Sequence, residues 1–433
     1  MTDQIIWFNE SSAKDILLVG GKNASLGELI NLGLSVPPGF AVTASAYYRF
    51  IKSNDLDDFI ERQLSHFDIS DVQQLEHVSQ NIRKKILECE FPPDLKNAIV
   101  SNYEKLCSIS QEESVSCAVR SSATAEDLPT ASFAGQQETF LNVKGKEEIL
   151  RKTKECFGSL FTARAIAYRK EKGFGKDVKM SVGVQRLVNS EKSGVMFTIE
   201  PNSGNNNILV IESSYGLGES VVSGKVVPDQ FYVFKPTGYT VRSRIGDKGL
   251  MLIPDGNGTK TVSIPENYRE TASLTGDEIK KLTEYASLIQ KHYNRHMDIE
   301  WAIENESVYI LQARPETVYS NALTEERYAL AEEGIEVATG VAIGSKIACG
   351  KIKVLHEPNE MHKFNQGDIL VTRMTTPHWV PILNKASAII TEEGGTTSHA
   401  AIVSRELGIP CVVGVKDAIK ILSADENQEY TID

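Results

Sequence analysis

Gly394-Gly395-Thr396-Thr397-Ser398-His399 places a histidine after two glycines and three hydroxyl residues, at the head of a run with helical spacing through Leu407. Glycines permit a tight loop beside a ligand. Thr397 or Ser398 can cap the first free N–H groups of the helix. Those N–H groups and the helix dipole favour an anion on or beside the imidazole, and neutral imidazole is a competent nucleophile near neutral pH. The pattern suits a phosphate-carrying histidine. A capped helix whose histidine only packs has the same local signature.

Three further segments carry groups for holding phosphate and metal. Gly20-Gly21-Lys22 follows the apolar run Ile16–Val19, which reads as a strand, and precedes a helical pattern over Asn23–Leu32 that Gly33 ends. A lysine there can reach a nucleotide phosphate, or can simply flank a turn. It is not a P-loop, because Ile16 stands at the first glycine position and Asn23 replaces Ser/Thr. A strand over Ser116–Arg120 delivers Arg120 into a loop of small hydroxyl residues, with a second strand at Thr139–Val143. Arginine suits bidentate phosphate recognition. The intervening Ser132–Gln137 has the composition of a flap whose backbone N–H groups can lie over phosphates. An ordinary polar loop closed by an ion pair is the alternative.

The third segment reads as a hairpin. Asp298–Glu304 and Val308–Arg314 are its strands, and Asn305-Glu306-Ser307 is a three-residue loop. That register sets Glu304 against Val308, Glu300 against Gln312 and Asp298 against Arg314. Since side chains two apart share a face, Asp298, Glu300, Gln312 and Arg314 would cluster. The other face would be apolar, with Ile299, Trp301, Ile303, Tyr309 and Leu311. A carboxylate and an amide oxygen suit Mg²⁺, and the arginine suits phosphate. A solvated face with a cross-strand Asp–Arg pair is the competing reading.

The elements that must position these groups are mixed. Helical patterns fill much of 44–103 and run over Glu148–Lys170 and Thr275–His292. Strand patterns occupy Val182–Val188, Gly194–Thr198, Ile208–Glu212 and Gln230–Phe234. Beyond Gly340, strand candidates at Lys351–Leu355, Ile369–Thr372, Ala388–Thr391 and Cys411–Gly414 form a compact α/β segment. The acidic stretch Thr324–Gly334 reads as a hinge. Of the remaining histidines, His66, His77, His292, His296, His356 and His362 show no ligand spacing, and His378 reads as structural.

Bulk properties narrow the class. The chain has 433 residues, 41% hydrophobic and 24% charged, with a formal net charge of −12. These values fit a soluble protein of two or three domains and argue against general binding to nucleic acid or anionic membranes. No apolar run is long enough for a bilayer, and no signal peptide is evident. The six cysteines lack CxxC spacing, which suits a reducing cytoplasm better than a zinc site or a disulfide framework.

The motifs coincide in order, and the chain resembles the phosphoenolpyruvate synthase (pyruvate, water dikinase) family, with its relatives pyruvate phosphate dikinase and rifampin phosphotransferase. The resemblance rests on Gly20–Glu28, Ala118–Val143, Ser193–Thr198, Gly216–Ser220, Leu311–Pro315 and Gly394–Gly414. It implies an α/β (α+β) chain: an ATP-grasp nucleotide-binding domain over 1–317, with subdomains of about 1–190 and 191–317, a hinge at 318–339, and a swivelling phosphohistidine domain at 340–433. By resemblance, Lys22, Arg120 and Arg314 bind ATP phosphates, Gly135 and Thr139 belong to the phosphate flap, and Gln185 lies near adenine. Glu300 and Gln312 would hold Mg²⁺, and His399 would be the nucleophile. The implied reaction moves the ATP β-phosphoryl to His399 with release of AMP and phosphate, then onward to pyruvate.

One departure bears on the acceptor. The family's large pyruvate-binding barrel has no counterpart within these 433 residues, and Thr317–Gly340 is expected to leave no room for the inserted acceptor domain of rifampin phosphotransferases. A truncated chain, or a natural short protein whose partner subunit binds the acceptor, is expected. Other acceptors (an antibiotic, phenol or alcohol) and a protein that senses ATP without turnover remain alternatives.

Overall fold

The computed structural model describes residues 4–65, 67, 71–124, 127–128, 131–132, 138–171, 178–316, 334–344, 346–396, 398–423 and 428–433. The hinge expected at Thr324–Gly334 lies almost wholly outside them, as do Gly135, most of the Ser132–Gln137 flap, Thr397 and His66. The chain forms two compact units. One comprises Met1–Asn189 with Pro254–Lys260 and Tyr309–Ala313; the other comprises Ser190–Ile253, Thr261–Val308 and Arg314–Asp433.

The first unit is built on an antiparallel sheet in the order Ile5–Trp7, Gly39–Val42, Met180–Arg186, Cys117–Ala123 and Thr139–Val143. Four helices between Ala44 and Ser110, as the periodicity predicts, share a core with it that includes Phe50, Phe91, Phe157, Ile82, Ile86 and Leu95. Two expectations are corrected here. Ile16–Val19 is not a strand: a helical segment runs over Ile16–Asn31, interrupted at Gly20, whose φ of 76° and ψ of 161° are non-helical. Leu17 is 79% exposed, so this apolar run is not inserted in a sheet. The single helix expected over Glu148–Lys170 is broken into Lys146–Gly158, a tight turn at Ser159–Phe161 and Ala163–Glu171. The Ser159 N–H and hydroxyl both turn back to the Cys156 carbonyl where the first piece ends, and extended Thr162 ends the tight turn.

The second unit carries a six-stranded sheet in the order Tyr239–Arg244, Asp229–Phe234, Ile208–Tyr215, Lys192–Phe197, Met297–Glu304 and Ser307–Pro315. Alternation assigns its faces. Ile299, Met196, Ile211 and Phe231 are paired in one row and buried. The helix Gly276–Tyr293 packs on the Met297–Glu304 strand, and a reciprocal Thr275/Glu278 capping box starts it.

The hairpin loop differs from expectation. It has two residues, Asn305 and Glu306, with φ of 48° and 62°. Consecutive left-handed residues make the turn that matches strand twist. Ser307, rather than Val308, flanks the turn opposite Glu304. One residue fewer inverts the alternation on the second strand. Val308 and Ile310 are therefore buried, Tyr309 and Leu311, expected inward, are half-buried, and Gln312, expected beside Glu300, takes the buried face of Val308 and Ile310 instead.

A second six-stranded sheet in this unit runs Val341–Ile343, Cys411–Val413, Ala388–Thr391, Ile369–Thr372, Ala348–Val354 and Glu429–Ile432. Its four middle strands pair in parallel. Ile369–Thr372 and Ala388–Thr391 are buried throughout, as expected where both faces are covered. Helix His399–Leu407 is the crossover between the Ala388–Thr391 and Cys411–Val413 strands, and Gly408 ends it at a φ of 65°.

Behind the first of these sheets lies a fully buried ion pair between Lys248 Nζ and Asp229 Oδ1 at 2.5 Å, both side chains at 0% exposure. The remaining Asp229 acceptor sites are taken by the N–H of Gly246 and by the N–H and hydroxyl of Ser273. Lys248 also donates to the carbonyls of Gly246 and Arg269. Removing one partner strands a buried charge, at a cost of about 3–5 kcal/mol. Lys248→Met should lower unfolding stability by about that amount in urea titrations, while the double change Lys248→Met with Asp229→Leu should recover much of it.

Candidate functional site

In an antiparallel sheet, directly opposed residues share a face. The register of the second unit sets Glu300 opposite Val195, Val195 opposite Glu212, and Glu212 opposite Gln230. These four side chains form one row across four strands, spanning about 14 Å at the usual spacing. The neighbouring row on that face is Asp298, Phe197, Val210 and Tyr232. Val195 and Phe197 pack with Val221 and Val226 from the segment that follows the Ile208–Tyr215 strand. Glu300 and Asp298 are half-buried, whereas Glu212 is fully buried.

Arg314 forms the ion pair expected with Asp298. Its Nε and Nη2 lie 2.9 and 2.7 Å from Asp298 Oδ2. The fork is held against one carboxylate oxygen with part of the guanidinium exposed, as suits a phosphate-binding arginine held in place by an acid.

Gln230 Nε2 donates to Glu212 Oε1 at 2.8 Å and to Thr396 Oγ1 at 3.1 Å. The row beginning at Glu300 therefore ends on the loop that carries His399. Gly394 starts that loop with a φ of 112°. Ser398 is the cap of the helix, and its Oγ accepts from the Ala401 N–H at 3.4 Å. His399, half-buried, is the first helical residue. Its Nδ1 lies 3.0 Å from Thr375 Oγ1. Arg405, two turns along, donates to the Thr396 carbonyl at 2.6 Å and to Asn202 Oδ1 at 3.4 Å. His378 is exposed in a short turn over Pro377–Trp379.

In the first unit, Lys22, Arg120, Gln185, Leu311 and Gln312 line one cleft. Its free volume is about 10 Å³, the room of one water, so a nucleotide requires this cleft to widen. Arg120 Nη1 donates to the Leu311 carbonyl at 3.2 Å, while its buried Nε has no hydrogen-bond partner among the described residues. An orphaned guanidinium N–H beside a lysine fits an anion site. Gln185 is 2% exposed, and its amide donates to the Pro37 carbonyl. Thr139 is exposed and sits opposite Arg120 in the sheet register. Helix geometry restarts after Gly20, where a Cβ would fall 2.2 Å from Ser122 Oγ. Only glycine lets the Lys22 turn approach the Arg120 strand this closely.

The candidate residues thus fall in two groups. Lys22, Arg120, Gln185 and Gln312 come together in the first unit, with Thr139 on the strand beside Arg120. Glu300, Arg314 and His399 belong to the second. Glu212, Gln230, Thr375 and Asn202 escaped the sequence reading. Glu212 and Gln230 carried one usable signal: each is a polar residue within an otherwise apolar strand run. Among the described residues, no group of three or more His, Cys, Asp or Glu side chains is placed to hold a metal.

Comparison with known proteins gives the class. Residues 16–334 match the pyruvate phosphate dikinase AMP/ATP-binding domain, and residues 364–433 match the mobile domain of PEP-utilising enzymes. The chain belongs to the pyruvate phosphate dikinase AMP/ATP-binding family. Among curated relatives, phosphoenolpyruvate synthase of Escherichia coli is 46% identical across 98% of this chain and 56% of its own length. Probable phosphoenolpyruvate synthases of Methanocaldococcus jannaschii and Methanothermobacter thermautotrophicus are 49% and 45% identical, across 91% and 100% of this chain. The chain spans 33% and 63% of those two relatives.

The Thr375 contact yields a direct test. Thr375→Val removes the hydroxyl beside Nδ1 and should shift the tautomer balance of His399 in ¹⁵N imidazole spectra, whereas Thr375→Ser should leave it near wild type. Spectra that coincide for all three proteins would remove Thr375 from the site.

Proposed function

We propose that this chain is the nucleotide-binding and phosphohistidine part of an ATP-dependent dikinase, in which His399 accepts the β-phosphoryl of ATP and passes it on. The observation that carries the reading is the row from Glu300 to Gln230, which ends on the His399 loop. The polar groups suited to phosphate on the second unit and the nucleophile are parts of one surface.

Nδ1 is the ring nitrogen next to Thr375, so Nε2 is the nucleophile when Nδ1–H donates a hydrogen bond to the Thr375 hydroxyl oxygen. Its lone pair forms the N–P bond as the bridging P–O bond to AMP breaks, and the γ-phosphate is later released as inorganic phosphate by water. Lys22, Arg120 and Arg314 supply positive charge for the ATP phosphates, Gly135 and Thr139 the flap, and Gln185 a contact near adenine. Positioning and charge provide most of the rate in such transfers. Glu300 offers a carboxylate oxygen that suits Mg²⁺ when phosphate oxygens complete its shell; Gln312, the second ligand that the resemblance implies, lies on the other face of the hairpin after the two-residue turn. The bound ion would neutralise phosphate charge.

Pyruvate is the proposed acceptor, in keeping with the names of the relatives, and its binding would fall to a further domain or a partner subunit. Two features favour a soluble, cytoplasmic setting. All six cysteines are free, and among the described residues no helix is long and apolar enough to cross a membrane.

The test uses ATP labelled at the β-phosphorus. Label should enter the protein in an acid-labile, base-stable form with AMP as the nucleotide product, and His399→Ala should abolish it. ADP as the sole product, or full labelling of the alanine variant, would sink the reading. Glu300→Gln and Arg314→Ala should each reduce labelling at least about tenfold, equivalent to 1.4 kcal/mol or more of lost transition-state stabilisation.

A further inference from the structure

The Gln230 amide nitrogen has two protons, and both are engaged, one by Glu212 Oε1 and one by Thr396 Oγ1. The three side chains are buried, at 6%, 0% and 5% exposure for Gln230, Glu212 and Thr396. The alternative amide orientation would turn the Gln230 carbonyl oxygen toward a carboxylate. Glu212 thereby selects the orientation that presents an N–H to the His399 loop.

The backbone around this contact is shaped for close approach. Gly224, at a φ of 69°, faces Ser398, and a Cβ there would fall 2.7 Å from Ser398 Cβ. A Cβ on Gly395 would fall 3.2 Å from Pro228 Cδ. Arg405 ties the same loop to Asn202 while holding the Thr396 carbonyl. Three contacts thus converge on residues 394–398, next to the nucleophile, from the segments at 202 and 224–230.

We propose that Gln230, oriented by Glu212, is a positioning residue for phosphoryl transfer: it seats the His399 loop on the Gly224–Gln230 segment, on the face that carries Glu300. This rests on the proposed phosphorylation of His399. The Gln230 amide is spent on Glu212 and Thr396 rather than on the imidazole, so its loss should lower the transfer rate and leave ATP binding intact. Its partner needs only a hydroxyl, so Thr396→Ser should retain the function that Thr396→Val loses.

The test compares the full chain with Gln230→Leu, Thr396→Val, Thr396→Ser and the double variant Gln230→Leu/Thr396→Val. Three readouts are taken: the labelling rate of His399 at saturating ATP, the KM for ATP, and amide hydrogen exchange over residues 394–402. Gln230→Leu and Thr396→Val should each slow labelling by about tenfold, the effect of losing one buried hydrogen bond. Neither should change KM more than about twofold, and both should speed exchange in that segment. Thr396→Ser should match wild type, and the double variant should be no slower than either single one. Additive losses, a raised KM, or wild-type labelling in Gln230→Leu would overturn the proposal. If Gln230→Leu does not fold, the Thr396→Val and Thr396→Ser pair decides. A wild-type chain that takes no label would overturn the phosphohistidine reading instead, and exchange in the variants would still report whether Gln230 holds the loop.

Discussion

Everything proposed for the second unit depends on one geometric constraint: residues opposed across antiparallel strands point to the same side. Glu300, Val195, Glu212 and Gln230 lie on four strands and are far apart in sequence, yet their register makes them one row. Phe231, Ile211, Met196 and Ile299 obey the same rule on the other side and form the core. A single sheet thus separates the apolar contacts that hold the unit from the polar groups that can act. Because the side-chain period is two, neither face can change independently of the other.

The His399 loop shows a second division of labour. Helix capping is left to Ser398, the imidazole Nδ1 is engaged by Thr375, and the Thr396 hydroxyl faces Gln230. Each hydroxyl in this cluster has a different partner. The loop therefore gains its conformation from several modest hydrogen bonds rather than from one strong ion pair.

Much of this was legible in the sequence because it is local. The helix-capping pattern before His399, the helical run over 44–103, the buried strands Ile369–Thr372 and Ala388–Thr391, and the Asp298–Arg314 pair all follow from periodicity or short spacing. The misses have physical causes. Ile16–Val19 is apolar like a strand, but a glycine with positive φ joins it to the following helix. The hairpin turn closes with two residues because Asn305 and Glu306 both accept the left-handed conformation, a preference hidden in a polar tripeptide. Glu212 and Gln230 left only the faint sign of a polar residue in an apolar strand, and Thr375 left none, for another reason. Their role comes from strands and loops that meet only in three dimensions, and no spacing encodes that.

The buried Asp229–Lys248 pair gains a different meaning from its place beside Gln230. Adjacent residues on a strand face opposite sides, so Asp229 points into the core and Gln230 toward the His399 loop. A slip of one residue would carry Gln230 to the core side or withdraw it, and leave Lys248 and the Ser273 N–H facing Gln230 or Pro228 in place of a carboxylate. The charge pair thus acts as a proofreader of strand alignment. It admits the one arrangement in which an amide emerges on the far side, so a group that never approaches the chemistry helps decide which side chain meets the histidine loop.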